Sequence, residues 1–382
     1  MRRQAAIERV AGLLAHADVQ LDGDRPWDIQ VHDERFFSRV PAEGSLGLGE
    51  SYMDGWWECE QLDELIYKLL SARLEQRVRS DWRLAAHLLM SRLLNLQNRR
   101  RSREVAEKHY DLDTALYMSF LDPYNQYTCA YFRNTDNLNQ AQENKLELIC
   151  RKLHLSSGDR VLDIGCGWGG FARFAAERYG CQVTGVTISA GQAKYAREFC
   201  RGLDVQILES DYRDLAKRIP AAAFDKVLVC GMIEHVGYKN YRSLMQTVEH
   251  CVQDHGLFLL HTIGGRTSRT TNVQNRWVAR YIFPAGMLPS LQQLTTAAEN
   301  VLDLEDLHNF GSRHYEKTLL AWWSNFECSW DAIRSRYDER FYRMWRFYLL
   351  SSAGTFRARK QHLWQIVFSK NGVGGEYEAV RW

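Results

Sequence analysis

The stretch Val161-Leu162-Asp163-Ile164-Gly165-Cys166-Gly167-Trp168-Gly169-Gly170 decides the fold. Arg160 to Ile164 is a short apolar run of strand type, and Phe171 to Tyr179 reads as a helix. The glycines between them let the main chain approach whatever lies at the carboxyl end of the strand, which is where open α/β sheets take their ligands. The spacing is G-x-G-x-G. A dinucleotide fingerprint would be G-x-G-x-x-G with an acid about 20 residues further on, and this stretch does not follow it. For the glycines alone, the plainer reading is a tight strand–helix turn with no ligand.

The alternation continues outward. Gln182–Ile188, Val205–Glu209, Asp225–Cys230 and Leu257–Thr262 read as strands. Ala190–Cys200 and Tyr241–Cys251 read as helices between them. Strands and helices alternating at this spacing build a parallel sheet covered on both faces. The C-terminal part is aromatic and helical: Tyr315, Leu319, Trp322, Phe326 and Trp330 share one helix face, and Phe341, Trp345, Tyr348 and Ser352 another. A last apolar run, Leu363–Phe368, is expected to close the sheet as an edge strand. Glu43–Glu50 is expected to be a glycine-rich turn region.

At 382 residues the chain has room for two domains, and 45% hydrophobic with 25% charged residues is ordinary for a soluble globular protein. No apolar stretch approaches a membrane span. The start, Met1-Arg2-Arg3, is not followed by a signal-type apolar run, because Glu8 and Arg9 interrupt it. A cytoplasmic protein is expected. Nine cysteines with no C-x-x-C pair argue against structural zinc and against a disulfide framework, so no metal is expected. The net charge is only +2, but Ser71–Arg103 holds nine arginines against Glu75 and Asp81. That block suits an anionic surface, or serves as a solvated linker. Within it Trp82, Ala86, Leu89, Leu93 and Leu96 repeat at helical spacing.

Preceded by Val-Leu-Asp-Ile and followed by this sheet, the glycine loop resembles the first motif of the class I S-adenosylmethionine-dependent methyltransferases. The resemblance implies a donor site. Its candidates are Tyr127, Thr128, Asp163, Gly165, Cys166, Gly167, Trp168, Gly169, Thr187, Ile188, Ser189, Gln192, Asp211 and Tyr212. The second strand ends without the acid that many such enzymes use on the ribose, so Ser189 or Gln192 would serve by neutral hydrogen bonds. Asp211 can accept from the adenine amino group and Tyr212 can cover the ring. Alternatively, Asp211 simply caps the next helix.

Further segments narrow the family. His109-Tyr110-Asp111-Leu112, Leu121-Asp122-Pro123, Tyr127-Thr128-Cys129-Ala130-Tyr131-Phe132, Gly231-Met232-Ile233-Glu234-His235-Val236-Gly237 and Phe356-Arg357-Ala358-Arg359 resemble the cyclopropane-fatty-acyl-phospholipid synthases. The resemblance runs from Glu43 to Phe368. It implies an α/β fold: a class I methyltransferase, Rossmann-like seven-stranded sheet with a helical cap, plus a small, mainly helical N-terminal domain. The expected division is 1–90 as that domain with a lipid or dimer role, 91–108 as a basic linker and 109–382 as the catalytic domain. It implies transfer of a methyl group to the cis double bond of an unsaturated phospholipid acyl chain, then ring closure assisted by bound bicarbonate. The implied holders of bicarbonate are Cys129, Glu234, His261, the backbone of Ile263, and Tyr315. Glu234, itself acidic, would have to accept from bicarbonate's own O–H or from His261.

The developing cation needs a dry site, and aromatic faces offset its charge by roughly 0.5–2 kcal/mol each. Most rings of the last two helices nonetheless read as ordinary core. Some family members carry a cysteine where this chain has Ser352, and an unactivated serine is a poor base or nucleophile. The implied partners are the phospholipid bilayer, met peripherally at its anionic inner face, and a second copy of the chain. Rival readings are a methyltransferase that stops at a methyl branch or acts on a small amine, and a non-catalytic lipid-binding protein. Nucleic-acid binding through the arginine run has no recognition motif behind it.

Overall fold

The computed structural model describes residues 2–74, 114–269, 275–284 and 286–382. His109–Leu112, the proposed linker 91–108 and nearly all of the arginine-rich block lie outside the described residues.

Seven strands form one sheet: β1 (Arg160–Ile164), β2 (Gln182–Thr187), β3 (Val205–Glu209), β4 (Phe224–Cys230), β5 (Val252–Gly265), β6 (Asp303–Asn309) and β7 (Gln361–Ser369). Their spatial order is β3-β2-β1-β4-β5-β7-β6. Strands β1 to β5 run parallel, with Ile164 beside Val186 and Cys230 beside His261, while β6 is antiparallel to β7. The order reverses between β1 and β4, which opens a crevice beyond the carboxyl ends of those two strands.

Alternate residues of each strand feed opposite faces. On one face Leu162, Val227, Val229, Phe258, Leu260, Ile366 and Phe368 pack with Leu244, Met245 and Val248 of the helix Tyr241–Cys251. On the other, Val161, Leu228, Leu257, Leu259 and Val367 pack with Phe171 and Ala175 of the helix Gly170–Tyr179 and with Leu146 and Ile149 of the helix Leu138–Lys152. Burial on both faces accounts for the nearly continuous apolar runs.

Two expectations are corrected. The run Leu363–Phe368 is not an edge strand; β7 lies inside the sheet, between β5 and β6. The edge is β6, with Asp303, Leu304 and Leu307 exposed, and its charge pattern is that of a strand kept from pairing further. The glycine-rich turn expected at Glu43–Glu50 is helical: Phe36–Glu43 and Ser45–Met53 are helices joined at Gly44. Gly49 is there for close packing, since a Cβ at that position would collide with the Trp277 ring.

The chain forms two compact units that do not follow the division at 90 and 108. One unit comprises Met1–Leu93, Thr271–Pro284 and Tyr315–Gln361; the other comprises Leu94–Thr270, Ala285–His314 and His362–Trp382. In the first, the N-terminal segment packs on C-terminal helices. Phe347 sits against Tyr52, Trp57 and Trp277 at ring-centroid distances of 5.5, 6.4 and 4.7 Å. Arg357 binds Asp63 at 2.5 Å, Glu64 at 2.6 Å and Glu316 at 2.7 Å. The rings of the helices Arg313–Ile333 and Glu339–Arg357 pack on one another, with buried Phe326 at 6.2 Å from buried Trp345, as ordinary core rings do. The second unit is the sheet with its covering helices.

Candidate active site

The glycine loop leaves β1 at Ile164 and enters the helix Gly170–Tyr179. Gly165, Gly167 and Gly169 all have positive φ, at 92°, 53° and 86°. At Gly167 nothing lies within 4 Å of where a Cβ would stand, so the loop presents bare main chain to open space. Around it is an aromatic nest: Tyr117 lies 4.6 Å from Trp168 and 5.2 Å from Tyr127. Cys166 is buried in the loop, and its burial pushes the thiol well above the ordinary range, so it stays protonated.

The ends of β2 and β3 are partly committed to their own structure. Thr187 donates to Gln192 Oε1 at 2.9 Å, and Ile188 leads into Ser189, which caps the helix Ala190–Phe199 through the Gln192 N–H at 3.2 Å. Asp211 accepts from Arg213 through its main-chain N–H at 2.9 Å and its guanidinium at 2.8 and 2.6 Å. The capping reading of Asp211 is therefore present in the fold, and Arg213 is an unforeseen member of that corner. Tyr212 is buried beside it.

Beneath the loop the helix Leu138–Lys152 aims Gln142 and Lys145 inward, both fully buried. Gln142 Nε2 donates to the carbonyls of Gln126 and Thr128 at 3.2 and 2.9 Å. The Lys145 ammonium donates to Gln126 Oε1 and, at 2.9 Å, to Thr128 Oγ1. Between them these two side chains fix the segment Gln126–Thr128. Burial lowers the Lys145 pKa, while the nearby Cys230, Asp122, Cys129 and Asp163 raise it again. Asp163, also buried, is pushed up to about 7 by desolvation, with Lys145 pulling the other way. Cys129 is fully buried, its thiol 3.3 Å from the Ala130 carbonyl.

Beyond β4, Glu234 lies in the short turn Ile233–His235. Its Oε1 accepts from the Ile263 N–H at 2.8 Å, and its Oε2 is buried with no hydrogen-bonding partner among the described residues. Burial lifts its pKa to about 6. The Ile263 N–H is thus occupied by Glu234. Neighbouring His235, driven down to about 4 by burial, stays neutral. His261 is buried too; its Nδ1 meets Gln365 Nε2 at 3.3 Å, and its Nε2 has no partner among the described residues. No hydrogen bond joins Glu234 to His261 among the described residues. Desolvation, with Lys145 and Lys152, holds the His261 pKa well below the ordinary value. The site thus brings together the turn that follows β4, His261 within β5 beside the end of β4, two buried polar atoms unpartnered among the described residues, and a buried ammonium. Tyr315 and Ser352 belong to the other unit: Tyr315 is buried against Phe356 at 4.4 Å, and Ser352 is partly exposed on the helix Glu339–Arg357.

Sequence reasoning missed Gln142, Lys145 and Gln365. For the first two a signal exists: they fall on the same helix face as Leu146 and Ile149, where polar groups are buried only with partners.

Sheet order, glycine loop and strand-end residues define a class I S-adenosylmethionine-dependent methyltransferase. The profile of the mycolic acid cyclopropane synthetase family matches residues 97–366. The chain is 48% identical over 363 residues to the cyclopropane-fatty-acyl-phospholipid synthase of Escherichia coli K12, covering 95% of this chain and 93% of that one. It is 38% identical over 351 residues to a probable fatty acid methyltransferase of Pseudomonas putida, covering 88% and 82%. Among solved structures it is similar to the cyclopropane synthase MmaA2 of Mycobacterium tuberculosis, with a TM-score of 0.65, 28% identity and coverage of 72% of this chain and all of that one. The chain belongs to the cyclopropane synthetase family and is a methyltransferase.

Proposed function

We propose that the chain is a cyclopropane-fatty-acyl-phospholipid synthase acting on cis-unsaturated acyl chains of assembled phospholipids. S-adenosylmethionine supplies an electrophilic methyl group and bicarbonate a small, captive base. Methyl addition to the double bond leaves a positive charge on the acyl chain; loss of one proton closes the ring, for a net gain of one CH2. The observation that carries the reading is the pair of buried atoms Glu234 Oε2 and His261 Nε2, unpartnered among the described residues, an acceptor and a ring nitrogen suited to hold a small hydrogen-bonding anion. Cys129 lies close enough to feel the same Lys145 charge as His261. Tyr315 joins the set on the family resemblance.

On this reading the chain's own groups have distinct tasks. Gly165 to Gly169 and the segment Tyr127–Thr128 seat the donor. Glu234 orients the base through its own fixed carboxylate. Buried surroundings exclude water, which would otherwise trap the cation as an alcohol. The enzyme meets the bilayer peripherally at its inner, cytoplasmic face through the basic segment Ser71–Arg103, and acts as a homodimer. Among the described residues no helix is long and apolar enough to cross a membrane.

The test is purified protein with unsaturated phospholipid vesicles and S-adenosylmethionine, with and without bicarbonate, followed by lipid mass spectrometry. A product one CH2 heavier that resists alkene hydrogenation and needs bicarbonate supports the reading; a methyl-branched or methylated-amine product rejects it. Co-sedimentation with vesicles that ignores anionic lipid and salt rejects the basic segment as the membrane contact.

A further inference from the structure

His261 on β5 and Gln365 on β7 stand on neighbouring strands. Both are buried, and the Gln365 amide lies on His261 Nδ1 at 3.3 Å. Across the next pairing, Gln365 faces His308 of β6, whose Nδ1 is 3.0 Å from Lys152 Nζ. Three polar side chains thus form a row across β5, β7 and β6, on the face that carries Phe310, whose ring is 5.8 Å from His261 and 4.8 Å from His308.

A neutral imidazole has one N–H and one lone pair, and the partner of one nitrogen decides what the other presents. Desolvation and the two lysine charges keep His261 neutral. If the amide nitrogen of Gln365 donates to Nδ1, the proton sits on Nε2, and a donor points into the site. Were the amide turned over, its oxygen would accept an Nδ1–H, and Nε2 would present a lone pair, which repels an anion. With the amide as it stands in the structure, Nε2 is the donor, buried and unpartnered among the described residues.

We infer that Gln365 is a positioning residue for the reaction: its amide N–H on Nδ1 holds the His261 proton on Nε2 and so presents a donor to the bound anion. The inference rests on the anion-site reading proposed above. It touches no reacting atom and acts only through His261.

The experiment uses the full-length protein labelled with 15N-histidine, with His261→Asn to assign the resonance. The expected long-range 1H–15N pattern is the Nε2–H tautomer in the parent protein. In Gln365→Glu the carboxylate can only accept, so the pattern should move to an Nδ1–H or doubly protonated ring. In the same variant the bicarbonate concentration for half-maximal rate should rise about tenfold or more, as for other partners that orient a ligating histidine, with the S-adenosylmethionine KM unchanged. Gln365→Met, which dictates no tautomer, should recover part of the rate at high bicarbonate and serves as the folding control. An Nδ1–H pattern in the parent protein overturns the inference while leaving bicarbonate dependence intact. Absence of any bicarbonate dependence in the parent overturns the anion-site reading itself, and with it the task assigned to Gln365.

Discussion

The main-chain N–H of Ile263 donates to Glu234 Oε1 at 2.8 Å, so one carboxylate oxygen is fixed by the strand that carries His261 while the other is buried without a partner among the described residues. Burial raises the Glu234 pKa from 4.5 to about 6, with the Ile263 N–H pulling against it. A carboxyl group raised in the folded state stabilises the fold below its unfolded value and loses that contribution as pH rises through 6. At neutral pH the ionised side chain then costs about 2 kcal/mol of stability. Glu234→Gln keeps the acceptor for Ile263 and removes the charge. Urea denaturation at pH 7.5 should show the variant more stable by about that amount, with the two proteins converging near pH 4, while turnover falls at least about 100-fold. Equal stability at both pH values, or retained turnover, would contradict the role given to this carboxylate.

Lys145 is the buried cation beside the segment proposed to seat the donor. Its ammonium holds Gln126 and Thr128 and pulls against the desolvation that raises Asp163. Lys145→Met takes a charged donor from Gln126 and Thr128 and removes that pull, so Asp163 moves further up. The loss of one charged hydrogen bond, about 1.5–3 kcal/mol, corresponds to about tenfold or more in affinity. Calorimetric titration with S-adenosylhomocysteine should show that loss in a variant that still melts cooperatively. Unchanged affinity in the folded variant would remove Lys145 from the donor site.

The strands β1 and β3 and the helix Tyr241–Cys251 follow the sequence to the residue, because each is a compact apolar or amphipathic run bounded by turn residues. Strand β6 was not legible: Asp303-Leu304-Glu305-Asp306-Leu307-His308-Asn309 has no alternating apolar pattern, since an edge strand takes its order from its neighbour and its charges from water. Invisible also was that β7 would be flanked on both sides, although its buried run from Leu363 to Phe368 is what an internal strand requires. In the site, Glu234 was singled out from its motif, and His261 from its expected place at a strand's carboxyl end, but β5 runs on past His261 to Gly265. Gln365 was not, because it enters only through a register between strands roughly a hundred residues apart in the chain.

Ser352 sits on the helix Glu339–Arg357 with buried Ser351 and Ala353 on either side, and is itself partly exposed. Without a neighbouring base a serine hydroxyl is neither acid nor nucleophile at neutral pH. Removing it takes away one small polar group from a half-exposed position. Ser352→Ala should keep turnover within about twofold of the parent, measured with saturating donor and vesicles. A dead variant that still folds would mean that the proton acceptor has been placed wrongly.

Arg357 carries the interior of its unit. One guanidinium fork reaches Asp63 and Glu64 on the helix Leu62–Ser71 and Glu316 on the helix Arg313–Ile333, at 2.5, 2.6 and 2.7 Å. Planar geometry lets one cation serve three carboxylates, which a lysine ammonium on its single flexible stem cannot do equally well. All four groups are largely but not wholly withdrawn from water, so the cost of removal lies between that of a surface pair and that of a buried one. Arg357→Ala leaves three acids facing one another and should cost about 2 kcal/mol of stability, with Arg357→Lys recovering only part of it. Urea midpoints of the parent and both variants at pH 7.5 measure the effect; a midpoint that Arg357→Ala leaves unmoved would show that the N-terminal segment is held by its other contacts, the apolar ones with Phe347 and the hydrogen bonds from Arg343 and Arg346.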